Sequence, residues 1–412
     1  MKIWNFEYSI KAVFFTQKPK RIFLDYASTT PTSREVVKQM EKYQSEVFAN
    51  PSALYSEALV AKEAVKESRE KVADIMNCRS NEIIWTSGGT EGNNLALLGV
   101  FEAHKSETFQ PHFVTSVIEH PAILEVFKEI EKRGGEVTYV SVGAPGIVSY
   151  KAIQNSLKSN TVLVSITYAS NEIGTVQPIR EIGRVIKEYR AKNSTPLPYF
   201  HTDACQASLY LSLDVLKLGV DMMTLDGIKM YGPKGFGMLF VKNNTKIHSI
   251  HFGGGQEKGL RSGTENVPGI VGFTKALEIA DSLKDSESAR LQKIRDYGIE
   301  KILKNFSKAQ LNGSQDYRLP NNINICFDGL DAEFAVIALD VAGVSASYSS
   351  SCQTLKEDSS SYVVESLGRA DCKLSSLRFT LGRESKISDI DFLLIALKKI
   401  IKAVVPSILA AS

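Results

Sequence analysis

The stretch TLDGIKMYGPKG, residues 224–235, sets Lys229 between Ile228 and Met230 and follows it with a Gly-Pro-Lys-Gly turn. A lysine buried among hydrocarbon has a depressed pKa and can act as an amine nucleophile. One that only lays its stem along apolar surface has the same one-dimensional look. Upstream, IIWTSGGTEGNNLAL reads as a strand, a Ser-Gly-Gly-Thr turn and a helix. The N–H groups at such a helix start attract an anion, which makes Gly88, Gly89 and Thr90 candidate phosphate ligands. The plainer alternative is a tight turn capped by Ser87 or Thr90. The pattern is neither GxxxxGK[ST] nor GxGxxG, so neither nucleotide motif is supported. Asp203, in FHTDACQ, ends a mostly apolar run, where a carboxylate needs a cationic or hydrogen-bonded partner. A protonated pyridine nitrogen would serve; so would a helix cap. His120, in IEHPA, could stack on a ring or relay a proton, or be a core histidine with satisfied hydrogen bonds.

These residues share a position relative to the elements around them. From about residue 60 to 245, short apolar runs (EIIWTS, HFVTSVIEH, TVLVSITYAS, YFHTDAC, DMMTLDG, FGMLFVK) are interleaved with helical patterns such as AILEVFKEIEKRG and IREIGRVIKEYRAK. That alternation predicts an α/β fold with a largely parallel sheet and helices on both faces. Ligands in such sheets sit at the carboxyl ends of strands. Thr90, His120, Asn171, Asp203 and Lys229 each follow a strand-like run. After the glycine-rich passage HFGGGQEKGLRSGTENVPG comes an amphipathic helix expected near residues 282–307, and the remainder, with INICFDG, AVIALDVAG and SLRFTLG, reads as a smaller α+β domain. The boundary is placed near residue 280. The serine cluster at 345–361 reads as a mobile loop.

Composition narrows the chemistry. With 412 residues and 43% hydrophobic content, one large and one smaller domain are expected. The 49 basic residues nearly balance the 46 acidic ones without a long single-sign run, which predicts neither a nucleic-acid nor a membrane surface and leaves small-molecule chemistry. Five scattered cysteines without a CxxC pair indicate neither a disulfide framework nor a zinc ribbon, no metal site is expected, and a reducing cytoplasm fits. The first 20 residues lack an h-region and a cleavage site and read as an extension. No run of apolar residues is long enough to span a membrane; the C-terminal one is broken by Lys398, Lys399 and Lys402.

Taken in order, RIFLDYASTTP, NPSALYSEAL, WTSGGTEGNNLAL, IEHPAIL, SNEIGTVQPI, HTDACQ, KMYGPKG, GGGQEKGLRSGTEN and LRFTLGR cover about residues 22–395. In these the chain resembles the cysteine desulfurases of the NifS/IscS type, in the class V aminotransferase family. The resemblance implies the type I fold of pyridoxal-phosphate-dependent transferases: a mostly parallel seven-stranded sheet with helices on both faces, plus a smaller α+β domain. It divides the chain into an extension (1–21), a large cofactor-binding domain (33–280) and a small domain (22–32 with 281–412). It also implies that Lys229 holds pyridoxal 5′-phosphate through its aldehyde, that Asp203 pairs with the pyridine nitrogen, that Gln206 reaches the phenolic oxygen and that His120 stacks on the ring. Gly89 and Thr90 would bind the phosphate, with Thr264 reaching the phosphate of a partner subunit in a homodimer with shared sites. Asn171, beside the cofactor, and Arg378 would hold the carboxylate of L-cysteine. Cys352, in SYSSSCQTLKEDSSSYVVESLG, lines up with the family's persulfide-forming cysteine, which passes sulfur to an iron-sulfur scaffold or a thiolation factor and leaves alanine. Cys78, Cys205, Cys326 and Cys372 are left as structural.

One departure falls on the opening stretch. Family members usually read Ser-x-His-Lys, with serine and histidine both donating to the phosphate, whereas this chain reads Asp226-Gly227-Ile228-Lys229. Two lost hydrogen bonds to a charged group would cost about 3–6 kcal/mol if nothing replaced them, and a carboxylate beside a phosphate adds repulsion. The expectation is that Asp226 is protonated or turned away and another donor holds the phosphate. The alternatives are an altered class V lyase, such as a selenocysteine lyase, and a cofactor-poor, non-catalytic protein that binds sulfur-transfer partners. Smaller departures are Tyr55, where the family commonly has histidine, and the charged KED at 356–358.

Overall fold

The computed structural model describes residues 21–348 and 360–409, the side chains through residue 402. The N-terminal extension up to residue 20 and Cys352 lie outside the described residues.

The apolar runs form strands because each can be buried on both sides. They are β2 (Ile83–Thr86), β3 (His112–Ser116), β5 (Thr161–Ser165), β6 (Tyr199–Asp203), β7 (Met222–Asp226) and β8 (Gly237–Val241), joined by the half-buried β4 (Glu136–Val140). Continuous rather than alternating apolarity is what a sheet covered on both faces requires. The order across the seven-stranded sheet is β2-β8-β7-β6-β5-β3-β4, with β8 antiparallel to both its neighbours and the other pairs parallel. This is the expected mostly parallel α/β architecture. One face packs Ile84, Phe113, Leu163 and Leu239 against the helices Gly89–His104 and Pro121–Lys132. The other packs Trp85, Val164, Phe200 and Met238 against the helices Ser56–Met76 and Ile179–Asn193.

The second core is built on the antiparallel order β12-β10-β9 (Ser376–Thr380, Asn322–Phe327, Ala309–Leu311). Beside it, β1 (Ile22–Phe23) pairs with β11 (Val344–Ser345). Helices Ala332–Val341 and Ile387–Leu409 cover this unit through Leu339, Leu393 and Leu397.

Two expectations are corrected. The helix expected near 282–307 runs from Val267 to Asn305, because Asn266 caps it by accepting from Gly269 N–H at 3.0 Å and Pro268 suits its first turn. The Asn-Val-Pro signal was hidden in a passage read as a glycine-rich loop. Its first half buries Ile270, Phe273 and Leu277 in the sheet's core and its second half buries Leu291, Ile294 and Ile302 in the other core. Second, Cys326 and Cys372 form a disulfide, although no disulfide was expected. They are 46 residues apart, and only the pairing of β10 with β12 brings the end of one close to the 3₁₀ turn before the other. Among the described residues, no helix is long and apolar enough to cross a membrane, and no group of three or more His, Cys, Asp or Glu could hold a metal.

Candidate active site

The site lies where the carboxyl ends of β2, β6 and β7 meet. The register pairs Thr86 of β2 with Gly237 of β8 and Gly237 with Asp226 of β7, so the turn after β2 sits one thin strand away from the end of β7. Gly237 makes this approach possible: a Cβ there would stand 2.7 Å from Cα of Gly88. Gly88 itself has φ of 148°, which favours glycine, and it starts the helix Gly89–His104. On the next strand Asp203 pairs with Thr224.

A cavity of about 220 Å³ opens at this junction, lined by Gly89, Thr90, Asn93, His120, Thr167, Ala169, Asn171, Asp203, Cys205, Gln206, Asp226, Ile228 and Lys229. Gly89, Thr90, His120, Asn171, Asp203, Gln206 and Lys229, proposed from five separate segments, thus share one wall. Thr264 does not; it is exposed, outside the cavity of its own chain. Arg378 is also absent from the wall and lies just behind it. Its Nη1 donates to the Asn171 carbonyl at 2.9 Å and its Nη2 to Asp25 Oδ1 at 2.7 Å and Ser28 Oγ at 3.0 Å. Its Nε is buried without a hydrogen-bond partner among the described residues.

Lys229 Nζ donates to the carbonyls of Ala27 (2.8 Å) and Ser28 (2.7 Å). Burial pushes its pKa below the ordinary lysine range, opposed by Asp226. The Arg378 guanidinium adds to the lowering. Gln206 Nε2 donates to the same Ala27 carbonyl at 2.9 Å. Asp203 is held from two sides: Oδ2 accepts from Asn93 Nδ2 at 2.7 Å and Oδ1 from Cys205 N–H at 3.0 Å. Each carboxylate oxygen keeps a further lone pair for a ligand. His120 caps the helix Pro121–Lys132, its Nδ1 accepting from Ala122 N–H at 3.1 Å, so that in the neutral ring the proton sits on Nε2. Burial holds its pKa below the usual histidine value, although Asp203 pulls upward. Cys205 packs against the wall as a thiol, its pKa driven well up by burial.

The phosphate end differs. Asp226 is not turned away, contrary to one form of the expectation: Oδ2 accepts from Gly89 N–H at 2.9 Å and Oδ1 from Ile228 N–H at 3.1 Å. Its carboxyl therefore sits in the turn that would receive an anion. Burial raises its pKa, and these two hydrogen bonds oppose the rise.

Sequence reasoning missed Asn93, which lies one helical turn after Gly89 and so projects from the same face. It also missed Asp25, Ala27 and Ser28, which anchor Arg378, Gln206 and Lys229. The quoted segment RIFLDYASTTP contained all three, with nothing local to mark them. The wall suits pyridoxal 5′-phosphate at the ring: a desolvated amine, a carboxylate with spare lone pairs and a planar imidazole. A Cβ on Gly89 would stand 2.7 Å from Cys205 Sγ, so only glycine leaves this floor open. The anion turn is also present, with Asp226 sharing it.

Comparison with known proteins agrees. The aminotransferase class-V model matches residues 22–393. A cysteine desulfurase IscS of Dictyoglomus turgidum is 40% identical over 383 residues, covering 93% of this chain and 95% of the relative. The IscS of Clostridium botulinum is 42% identical over 386 residues, with the same coverage of each chain. Among solved structures, a NifS-like protein superposes with a TM-score of 0.85 at 28% identity, covering 93% of this chain and 100% of the other. One described as SspA in complex with cysteine gives 0.75 at 34% identity, covering 87% and 98%.

Proposed function

Because the chain belongs to the aminotransferase class-V family, and within it to the cysteine desulfurases, we propose how its residues divide the work of taking sulfur from L-cysteine. The observation that carries the reading is the convergence of Lys229, Asp203 and His120 on one cavity. When bound, pyridoxal 5′-phosphate supplies the electron sink that lets the bonds of the substrate's α and β carbons be broken. Lys229 would hold the cofactor through its aldehyde and would carry the substrate's α-proton. Its lowered pKa supports both roles, since a neutral amine is available closer to neutral pH. Asp203, anchored by Asn93 and the Cys205 amide, would pair with the pyridine nitrogen and keep its proton in place. His120, oriented by its cap on Ala122, would stack on the ring. Asn171 and Arg378 would take the substrate carboxylate, and the unpartnered Nε is one guanidinium donor left for it.

Cys352 then attacks the substrate's sulfur as a thiolate. The Cβ–S bond breaks, the sulfur stays on Cys352 as a persulfide, and the three-carbon remainder takes up protons and leaves as alanine. The free cysteines among the described residues support this choice by default. Burial holds Cys205 as a thiol and pushes the Cys78 pKa up to about 12. The persulfide goes to an acceptor protein, an iron-sulfur scaffold or a thiolation factor. A homodimer with shared sites accounts for the exposed Thr264 and for the exposed apolar side chains Leu54, Tyr55, Leu59 and Phe252.

Borohydride reduction with added pyridoxal 5′-phosphate, followed by peptide mass spectrometry, tests the reading at its root: the adduct is expected on Lys229. Cys352→Ser should abolish sulfide release while leaving cofactor absorbance intact; unchanged turnover would remove Cys352 from the reaction.

A further inference from the structure

Asp226 is a carboxyl group placed where the bound cofactor would bring a phosphate. Its carboxyl takes the Gly89 N–H of the helix start, the group that a phosphate at this turn would take. The placement is built in. The register through Gly237 holds the ends of β2 and β7 together, and the Ile228 N–H fixes the second oxygen. Five groups from the surrounding elements act on it. Lys229 follows it on the same turn and favours its charge, while Asp203, at the end of β6, opposes it. Cys205 follows β6, His120 caps the helix Pro121–Lys132, and Lys234 lies in the turn beyond Lys229. Lys234 Nζ is engaged with Thr29 Oγ1 at 2.7 Å and with the Thr30 carbonyl, so it does not sit on Asp226 as a counter-ion.

Resting on the cofactor reading above, we propose that Asp226 sets how strongly this site selects the phosphorylated cofactor. The phosphate shares the anion turn only with a protonated Asp226 carboxyl, so the preference for pyridoxal 5′-phosphate over pyridoxal falls as pH rises. A protonated carboxyl can donate to a phosphate oxygen in place of the serine hydroxyl that family members usually carry there. An ionised one competes for the same N–H and repels the dianion. The sign is distinctive. The phosphate's own second ionisation, near pH 6, strengthens binding in an ordinary cradle as pH rises; here the linked carboxyl proton works the other way.

The test is the ratio of apparent Kd for pyridoxal to that for pyridoxal 5′-phosphate, read from the absorbance of the bound ring between pH 6 and 8.5. Both ligands carry the same aldehyde, so the chemistry of Lys229 cancels in the ratio. In the wild type the ratio should fall with pH by up to about tenfold per unit, the slope of one linked proton. Asp226→Asn should raise the ratio at pH 8 by about tenfold or more and remove the fall. Asp226→Ser, which restores a hydroxyl, should do the same. A wild-type ratio that stays flat or rises with pH overturns the proposal even if neither variant folds, and so does a fall that persists in the variants. Borohydride trapping in the same samples separates the two readings. Labelling of Lys229 by both ligands with a flat ratio defeats only the role of Asp226. Labelling by neither defeats the cofactor reading, and this proposal with it.

Discussion

The two ends of one pocket are built on opposite principles. At the ring end each demanding group meets a partner of complementary character: Lys229 is dried and aimed by two carbonyls, Asp203 is anchored by an amide side chain and a backbone N–H, and His120 is oriented by its own helix start. At the phosphate end the helix start is likewise built to hold an anion, but the protein supplies that anion itself in Asp226. The difference teaches that a pocket can keep its chemistry while changing how tightly it holds the handle of its cofactor. We assign the rate to the ring end, and affinity with its pH dependence to the phosphate end.

The strongest way to break that contrast is at Lys229. Lys229→Ala should lower alanine formation by about 10³-fold, the scale of a lost proton-transfer group, measured under saturating cofactor; survival of a tenth of the rate would move the chemistry away from the ring end. Asp203→Asn removes a charge aimed at the ring and should reduce kcat by about 10²-fold with the fold intact, checked by steady-state kinetics and circular dichroism. Asn93→Ala leaves Asp203 without one of its anchors. The loss of one hydrogen bond to a carboxylate predicts a fall in kcat of about tenfold, with little change in KM; a KM effect alone would make Asn93 a packing residue.

A separate effect concerns stability. Glu119, next to His120, is fully buried; its Oε1 accepts from Ser116 Oγ and Thr167 N–H, its Oε2 has no partner among the described residues, and burial pushes its pKa up to about 8. A carboxyl whose pKa is about 4.3 unfolded and higher when folded binds more protons in the native state, so its contribution is lost as pH rises between those values. Denaturant titrations at pH 5 and pH 8 should show wild-type stability falling by on the order of 2–3 kcal/mol from this group, and Glu119→Gln should remove that fall. An identical pH profile in the variant would mean that water reaches the carboxyl.

Most of the sheet and much of the wall were legible in the chain. Runs such as TVLVS and MMTLD read as strands buried on both faces, and chemistry-bearing residues stood at their carboxyl ends. What stayed hidden depended on distance in sequence. Asp25 pairs with Arg378 across 353 residues, and Cys326 meets Cys372 only through the register of β10 with β12. The helix start at Asn266 was written locally, but the glycines before it drew it into a loop.

Asp226 marks the division. Its identity, and its departure from the usual serine, are properties of the sequence alone, as are the amine of Lys229 and the glycines of the anion turn. Which way its carboxyl faces was decided by tertiary structure, because the answer depends on a bare Gly237 between two strands 137 residues apart at the contact of Gly89 with Asp226. Composition and local pattern specify which groups a chain owns. Strand register decides which of them share a hydrogen bond.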